Sequence, residues 1–220
     1  MRVLKAMGKK LKSNRGFTLV EMLTALAIVV MMSLMMSVGA SVGTAVQRES
    51  TFVAESDVLA STVNTALGDV LRYAKVREVA PAGGEGAPTN EQIEAEKTLL
   101  TDSTGTKKLL IDTDGYGISG GAICLDTYKG KGRLAVSQYV TQSEDGDVSK
   151  AVTEEKIAYL VSHGIYTNLV IMKDATHPFT LKYEVDGTKK YFYVHYWIAE
   201  ANASEPMTKE VESYFRVANG

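Results

Sequence analysis

The hydrophobic pattern divides the chain into three regimes. From Phe17 to Val46, thirty residues carry a single charge, Glu21. The uncharged run continues from Met22 to Gln47, longer than the roughly 20 residues needed to cross a bilayer. Beyond Arg48 the pattern turns amphipathic. Val53, Ala60, Val63, Leu67, Val70 and Ala74 recur at steps of three, four and seven, with Glu55, Asp57, Thr62, Asn64, Asp69 and Arg72 between them. That is a helical stripe. With no proline before Pro81, the pattern predicts one helix from about Phe17 to about Lys75.

The segment Pro81-Ala-Gly-Gly-Glu-Gly-Ala-Pro88 ends that helix and forms a connector. A short polar helix is expected around Thr89 to Leu100. Short apolar or alternating runs follow at Lys108–Asp112, Ala122–Thr127, Arg133–Val140 and Leu169–Met172, separated by Gly and Asp turns. Phe179–Val185 and Lys190–Ile198 flank Asp186-Gly187, a hairpin signature with aromatic and β-branched strands. Thr153 to Val161 reads first as a capped helix, with strand as the alternative. Val211–Val217 closes the set as a strand. A sheet with one apolar face needs a cover, and the helical stripe provides it. The expected fold class is α+β, a long N-terminal helix on an antiparallel sheet head.

Charge sharpens the first regime. Met1 to Gly16 holds six basic residues (Arg2, Lys5, Lys9, Lys10, Lys12 and Arg15) and no acid. The whole chain is at −2 with 24 basic and 26 acidic residues; without the six it would be at −8. Such an acidic body argues against nucleic acid as a general electrostatic partner. The basic segment stays cytoplasmic by the positive-inside rule, giving an N-in, C-out topology. An ionisable residue inside a membrane-length apolar run is costly and needs a named partner. For Glu21 the nearest candidate cation is the α-amino group that a cut after Gly16 would create on Phe17.

Gly16 followed by Phe17-Thr18-Leu19-Val20-Glu21, behind a basic leader and ahead of a long apolar helix, resembles the processing site of type IV prepilins and of the related pseudopilins of type II secretion and competence systems. The motif's resemblance covers about the first sixty residues. It implies a membrane-embedded aspartic prepilin peptidase that cuts after Gly16 and N-methylates Phe17. It also implies that Glu21, the fifth mature residue, meets the terminal amine when subunits assemble. The implied organisation is a leader at 1–16, a transmembrane and assembly helix at 17–47, an amphipathic helix at 48–80 and a β-rich head at 81–220. The implied partners are the peptidase, other pilin subunits, the inner-membrane assembly machinery and, before assembly, membrane lipid. The chain departs from the family in two respects. It lacks the proline often present in this helix, leaving Gly39 and Gly43 as the places where it would bend. It also has one cysteine, Cys124, and so no disulfide-closed loop. The rival reading takes Val38-Gly39-Ala40 as an ordinary signal-peptidase site, releasing or tethering an exported enzyme or binding domain.

Nothing in the head reads as catalytic, and neither a cofactor nor a metal is expected. Gly115-Tyr-Gly-Ile-Ser-Gly120 matches G-x-G-x-x-G formally, but a strand follows it where the dinucleotide fingerprint requires a helix. Asp112-Thr-Asp114-Gly115 and Glu144-Asp-Gly-Asp147 are acidic turns without the full calcium-loop series. His163, His177 and His195 are scattered without metal spacing. Cys124 in Ala-Ile-Cys-Leu reads as a buried thiol. Tyr191, Tyr193 and Tyr196 read as strand residues, and Asn202-Ala-Ser204 is a nominal glycosylation sequon.

Overall fold

The computed structural model describes residues 18–79, 97–129, 131–142 and 152–218. The chain divides into two compact units, Met1–Ser50 and Thr51–Gly220. Helix α1, Leu19–Leu71, begins in the first and ends in the second. In the first unit every described residue is exposed, including Met31, Met32, Met35 and Met36. This part of α1 is long and apolar enough to cross a membrane. Gly39 and Gly43 lie in uninterrupted helix, and a Cβ at either would meet nothing within 4 Å.

In the second unit the helix has a buried stripe: Phe52, Ser56, Leu59, Ala60, Val63, Leu67, Val70 and Leu71. Steps of three and four keep these on one side of a 3.6-residue helix. Val53, assigned to the stripe by spacing, is 47% exposed, and Phe52 takes its place. The seven-residue step from Val53 to Ala60 leads along the stripe's margin, because the fully buried line runs through Leu59 and Val63. The helix also stops sooner than the pattern predicts. After Leu71 the chain turns, and Lys75–Glu78 is strand β1, antiparallel to β3 (Leu109–Thr113).

Two sheets form the rest. One has the order β1-β3-β4-β5-β6, with β4 Ile118–Tyr128, β5 Lys131–Gln142 and β6 Val152–Tyr159. The other has the order β10-β9-β8-β2, with β2 Leu100–Asp102, β8 Thr180–Asp186, β9 Lys189–Glu200 and β10 Thr208–Arg216. Strand β7, Leu169–Ile171, adds to β9 and follows a four-residue helix α2, His163–Tyr166. The pairings are antiparallel except for β2 with β8. Ile111, Ile123 and Val136 of the first sheet and Leu181, Phe192 and Val194 of the second bury against the helical stripe in one core. The observed class is α+β with antiparallel sheets covered by the helix.

Most predicted strands stand where expected. The β8–β9 hairpin forms one residue later than the expected Asp186-Gly187: Asp186 pairs with Lys189, and the turn is Gly187-Thr188, with Gly187 at φ +59° in its first position. One helix expectation gives way to its strand alternative. Thr153–Val161 is mainly strand β6, paired with β5 from Gln142↔Val152 to Ala135↔Tyr159. An open β5 edge offers that segment a full ladder of backbone bonds, which outweighs a capping pattern that no long helix follows. Of the polar helix expected around Thr89 to Leu100, Lys97 is helical and Leu100 starts β2; residues 89–96 lie outside the described residues. The Pro81–Pro88 connector and the Glu144–Asp147 turn also lie outside them.

The glycine-rich segment is a turn between strands. A 3-10 turn at Asp114–Tyr116 leads through Gly117, at φ +63°, into β4. Gly120, also at positive φ, is needed for a close approach: a Cβ there would sit 2.0 Å from Arg77 Nη2. Arg77 Nε lies 3.5 Å from Asp112 Oδ2, and Gly120 N–H donates to Asp112 Oδ1 at 2.6 Å. Asp114 faces Lys75 at 3.4 Å. The two carboxylates of this acidic turn thus point to basic residues of β1.

Candidate functional site: the N-terminal segment

Gly16 and Phe17 lie outside the described residues; Glu21, the third predicted site residue, lies in the first turn of α1. Thr18 precedes the helix, and its carbonyl accepts the helical bond from Met22 N–H at 3.2 Å. Its hydroxyl accepts from Glu21 N–H at 3.2 Å. In return Glu21 Oε2 accepts from Thr18 N–H and from the Thr18 hydroxyl, both at 2.9 Å. This reciprocal arrangement is a capping box, which satisfies two amide donors that the helix start would otherwise leave open. Its signal, Thr-x-x-Glu ahead of an apolar run, is in the sequence and is not part of the charge-based reading of Glu21.

The box has two consequences for the chemistry of the segment. It fixes the carboxylate beside the helix start, where the positive end of the helix dipole favours negative charge. It also occupies Oε2 alone; among the described residues nothing hydrogen-bonds Oε1. Thr24 completes the turn by donating its hydroxyl to the Glu21 carbonyl at 3.0 Å.

The other reactive-looking residues are dispersed through the head. His195 Nε2 pairs with Glu210 Oε1 at 2.7 Å, His177 sits against Asp174 at 3.2 Å, and His163 stacks on Tyr128 with ring centroids 3.7 Å apart. No group of three or more His, Cys, Asp or Glu among the described residues could hold a metal. Cys124 is buried, and burial, reinforced by Asp126, pushes its thiol up to about 11. A group so shifted is a poor nucleophile at neutral pH. Tyr196 is a core residue whose hydroxyl lies 3.2 Å from Asn64 Oδ1 and 3.4 Å from the Ala60 carbonyl of the helix. Asn64 in turn donates to Ser213 Oγ of β10 at 2.8 Å.

Compared with known proteins, the chain matches the family model described as the prokaryotic N-terminal methylation motif, over residues 11–37. No curated protein and no solved structure gives a significant match. The matched stretch contains Gly16, Phe17, the capping box and the first half of the apolar run. The chain therefore carries the N-terminal methylation motif of type IV prepilins and pseudopilins, at the start of a long helix whose later part packs on antiparallel sheets.

Proposed function

We propose that this protein is a structural subunit of a type IV pilus or a related filament. It is made as a prepilin, cleaved after Gly16 and N-methylated on Phe17. The observation that carries the reading is the methylation motif over residues 11–37, with its one acid placed at the start of an exposed apolar helix. The motif implies processing by a prepilin peptidase, and the chain is that enzyme's substrate rather than an enzyme itself.

Before assembly, residues 17–47 hold the chain in the cytoplasmic membrane, with the leader 1–16 inside and the head outside. During assembly the apolar helices exchange lipid for one another. The Glu21 carboxylate then meets a Phe17 amine in a water-poor core. An amine at a helix N-terminus is disfavoured by the helix dipole, and a carboxylate in the first turn offsets that cost. Oε1 is the oxygen left for this contact, so Glu21 sets the register of neighbouring subunits. The filament exposes the heads at the cell surface or, for a pseudopilus, in the secretion apparatus.

Mass spectrometry of the N-terminal peptide of the mature protein tests the reading. A terminus at N-methyl-Phe17 is the expected result, and Gly16→Val should leave the leader attached. An intact Met1 terminus in cells with active pilus machinery would overturn it. A terminus at Ser41 would instead support ordinary signal-peptidase processing of an exported domain.

A further inference from the structure

We infer that Asn202 is an acceptor for N-linked glycosylation. The turn between β9 and β10 carries Glu200-Ala-Asn202-Ala-Ser204, a sequon with no proline in its middle position. A sequon is common by chance, so its setting decides. This one lies where strand pairing ends. The last β9–β10 pair is Ala199↔Thr208, and beyond it Glu200 closes a loop, its N–H donating to the Met207 carbonyl at 3.3 Å and its Oε2 accepting from Met207 N–H at 3.2 Å. Ala201 N–H donates to the Asn168 carbonyl at 2.7 Å, which holds one flank. Asn202 and Ser204 are both exposed on the loop that remains.

That geometry suits the reaction. The transferase must thread the asparagine and the hydroxyl two residues later into its own site, which a residue in a strand ladder cannot offer without breaking backbone bonds. Here both side chains stand outside the ladder of a hairpin that is closed behind them. The donor class is an oligosaccharide linked through pyrophosphate to a polyisoprenoid lipid. The Asn202 amide nitrogen attacks the anomeric carbon, forming a C–N bond. The bond from that carbon to the pyrophosphate oxygen breaks, the lipid pyrophosphate leaves, and the amide gives up one proton, with no change of oxidation state.

In the cell the inference rests on the proposed outward placement of the head, because such transferases act on that side of the membrane. The test does not, so the two can fail separately. Full-length folded protein in detergent is incubated with a purified single-subunit oligosaccharyltransferase that accepts Glu-x-Asn-x-Ser and with its lipid-linked donor. A control acceptor peptide is included in the same tube. The expected result is one glycan on the tryptic peptide Tyr191–Lys209, lost in Asn202→Gln and in Ser204→Ala and kept in Ser204→Thr. An unmodified wild-type chain beside a glycosylated control peptide would overturn the inference. So would modification that appears only after the head is denatured, since the argument depends on the loop being presented by the fold.

Discussion

Replacing Leu67 by alanine tests the joint between helix and sheets. Leu67 is fully buried on the helical stripe, in line with Val63 and Leu71, which are also fully buried. Next to it the helix runs close to β10: a Cβ on Gly68 would lie 3.3 Å from two ring atoms of Phe215. With the helix backbone seated against β-sheet, the space left by the leucine cannot close by a simple shift. Leucine-to-alanine changes in cores cost about 2–5 kcal/mol, more where the site cannot relax. A value of about 3–4 kcal/mol follows here, against a typical total of roughly 5–15 kcal/mol for a domain. The assay is urea denaturation of the full chain in detergent micelles, followed by the fluorescence of Trp197, the one tryptophan. With a slope of about 2 kcal/mol per molar urea, the midpoint should fall by on the order of 1.5–2 M while the slope stays the same. Val53→Ala is the control, since Val53 is 47% exposed and surface changes usually stay within about 0.5 kcal/mol. If the two variants shift the midpoint equally, or Leu67→Ala by less than about 0.4 M, the helix is not seated as described.

Three further outcomes are expected. Glu21→Gln keeps a side chain able to cap Thr18 but removes the charge, whereas Glu21→Val removes both; both should be processed to Phe17 and recovered poorly in sheared filaments, and wild-type incorporation of either would refute charge pairing. Cys124 should resist iodoacetamide at pH 8 in the folded head and react once urea unfolds it. Because the folded thiol is raised from 9.0 to about 11, the stability it contributes by staying neutral is complete below pH 9 and is lost as pH rises through 11, which pH-dependent denaturation of wild type against Cys124→Ala would register. Gly121→Ala would put a Cβ 2.4 Å from Ile118 Cγ2 and 2.9 Å from Val136 Cγ1; overpacking of that kind costs about 1–3 kcal/mol, measured by the same urea midpoint.

The legible parts of the fold are those that local chemistry dictates. Asp186-Gly187 announces the hairpin to within one residue, because the left-handed backbone at Gly187 suits few residue types other than glycine. The length and apolarity of Phe17–Val46 announce a helix, and its described residues are exposed. The misread parts were decided by partners distant in sequence. Thr153–Val161 carries a helix-like start, yet β5 offers it a ladder. Val53 and Phe52 are adjacent apolar residues, and the choice between them depends on where the sheets lie around the helix axis. The parallel pairing of three-residue β2 with β8 joins Leu100 to Leu181, too short and too remote a match for periodicity to reveal. In the candidate site, Glu21 stood out because one charge in an oily run has no local excuse. Thr18 carries the matching signal, Thr-x-x-Glu ahead of an apolar run, but a reading of Glu21 by charge alone passes over it.

The capping box changes what Glu21 must be asked to explain. Charge alone made the acid look unsatisfied in the precursor and rescued only by proteolysis. The structure gives it partners before any cut: the Thr18 amide and hydroxyl share Oε2 at 2.9 Å each. A carboxylate that already accepts two hydrogen bonds at a helix N-terminus is a structural cap in the uncut chain, so on the proposed reading insertion need not wait for processing. On the proposed reading, cleavage after Gly16 then adds a cation one residue ahead of the cap in sequence. The same side chain can thus start the helix in the single chain and set register in the filament, without giving up its first pair of bonds to gain the second. Capping and charge pairing are in that case separable properties of one residue. Glutamine, which retains the first and lacks the second, is the substitution that divides them.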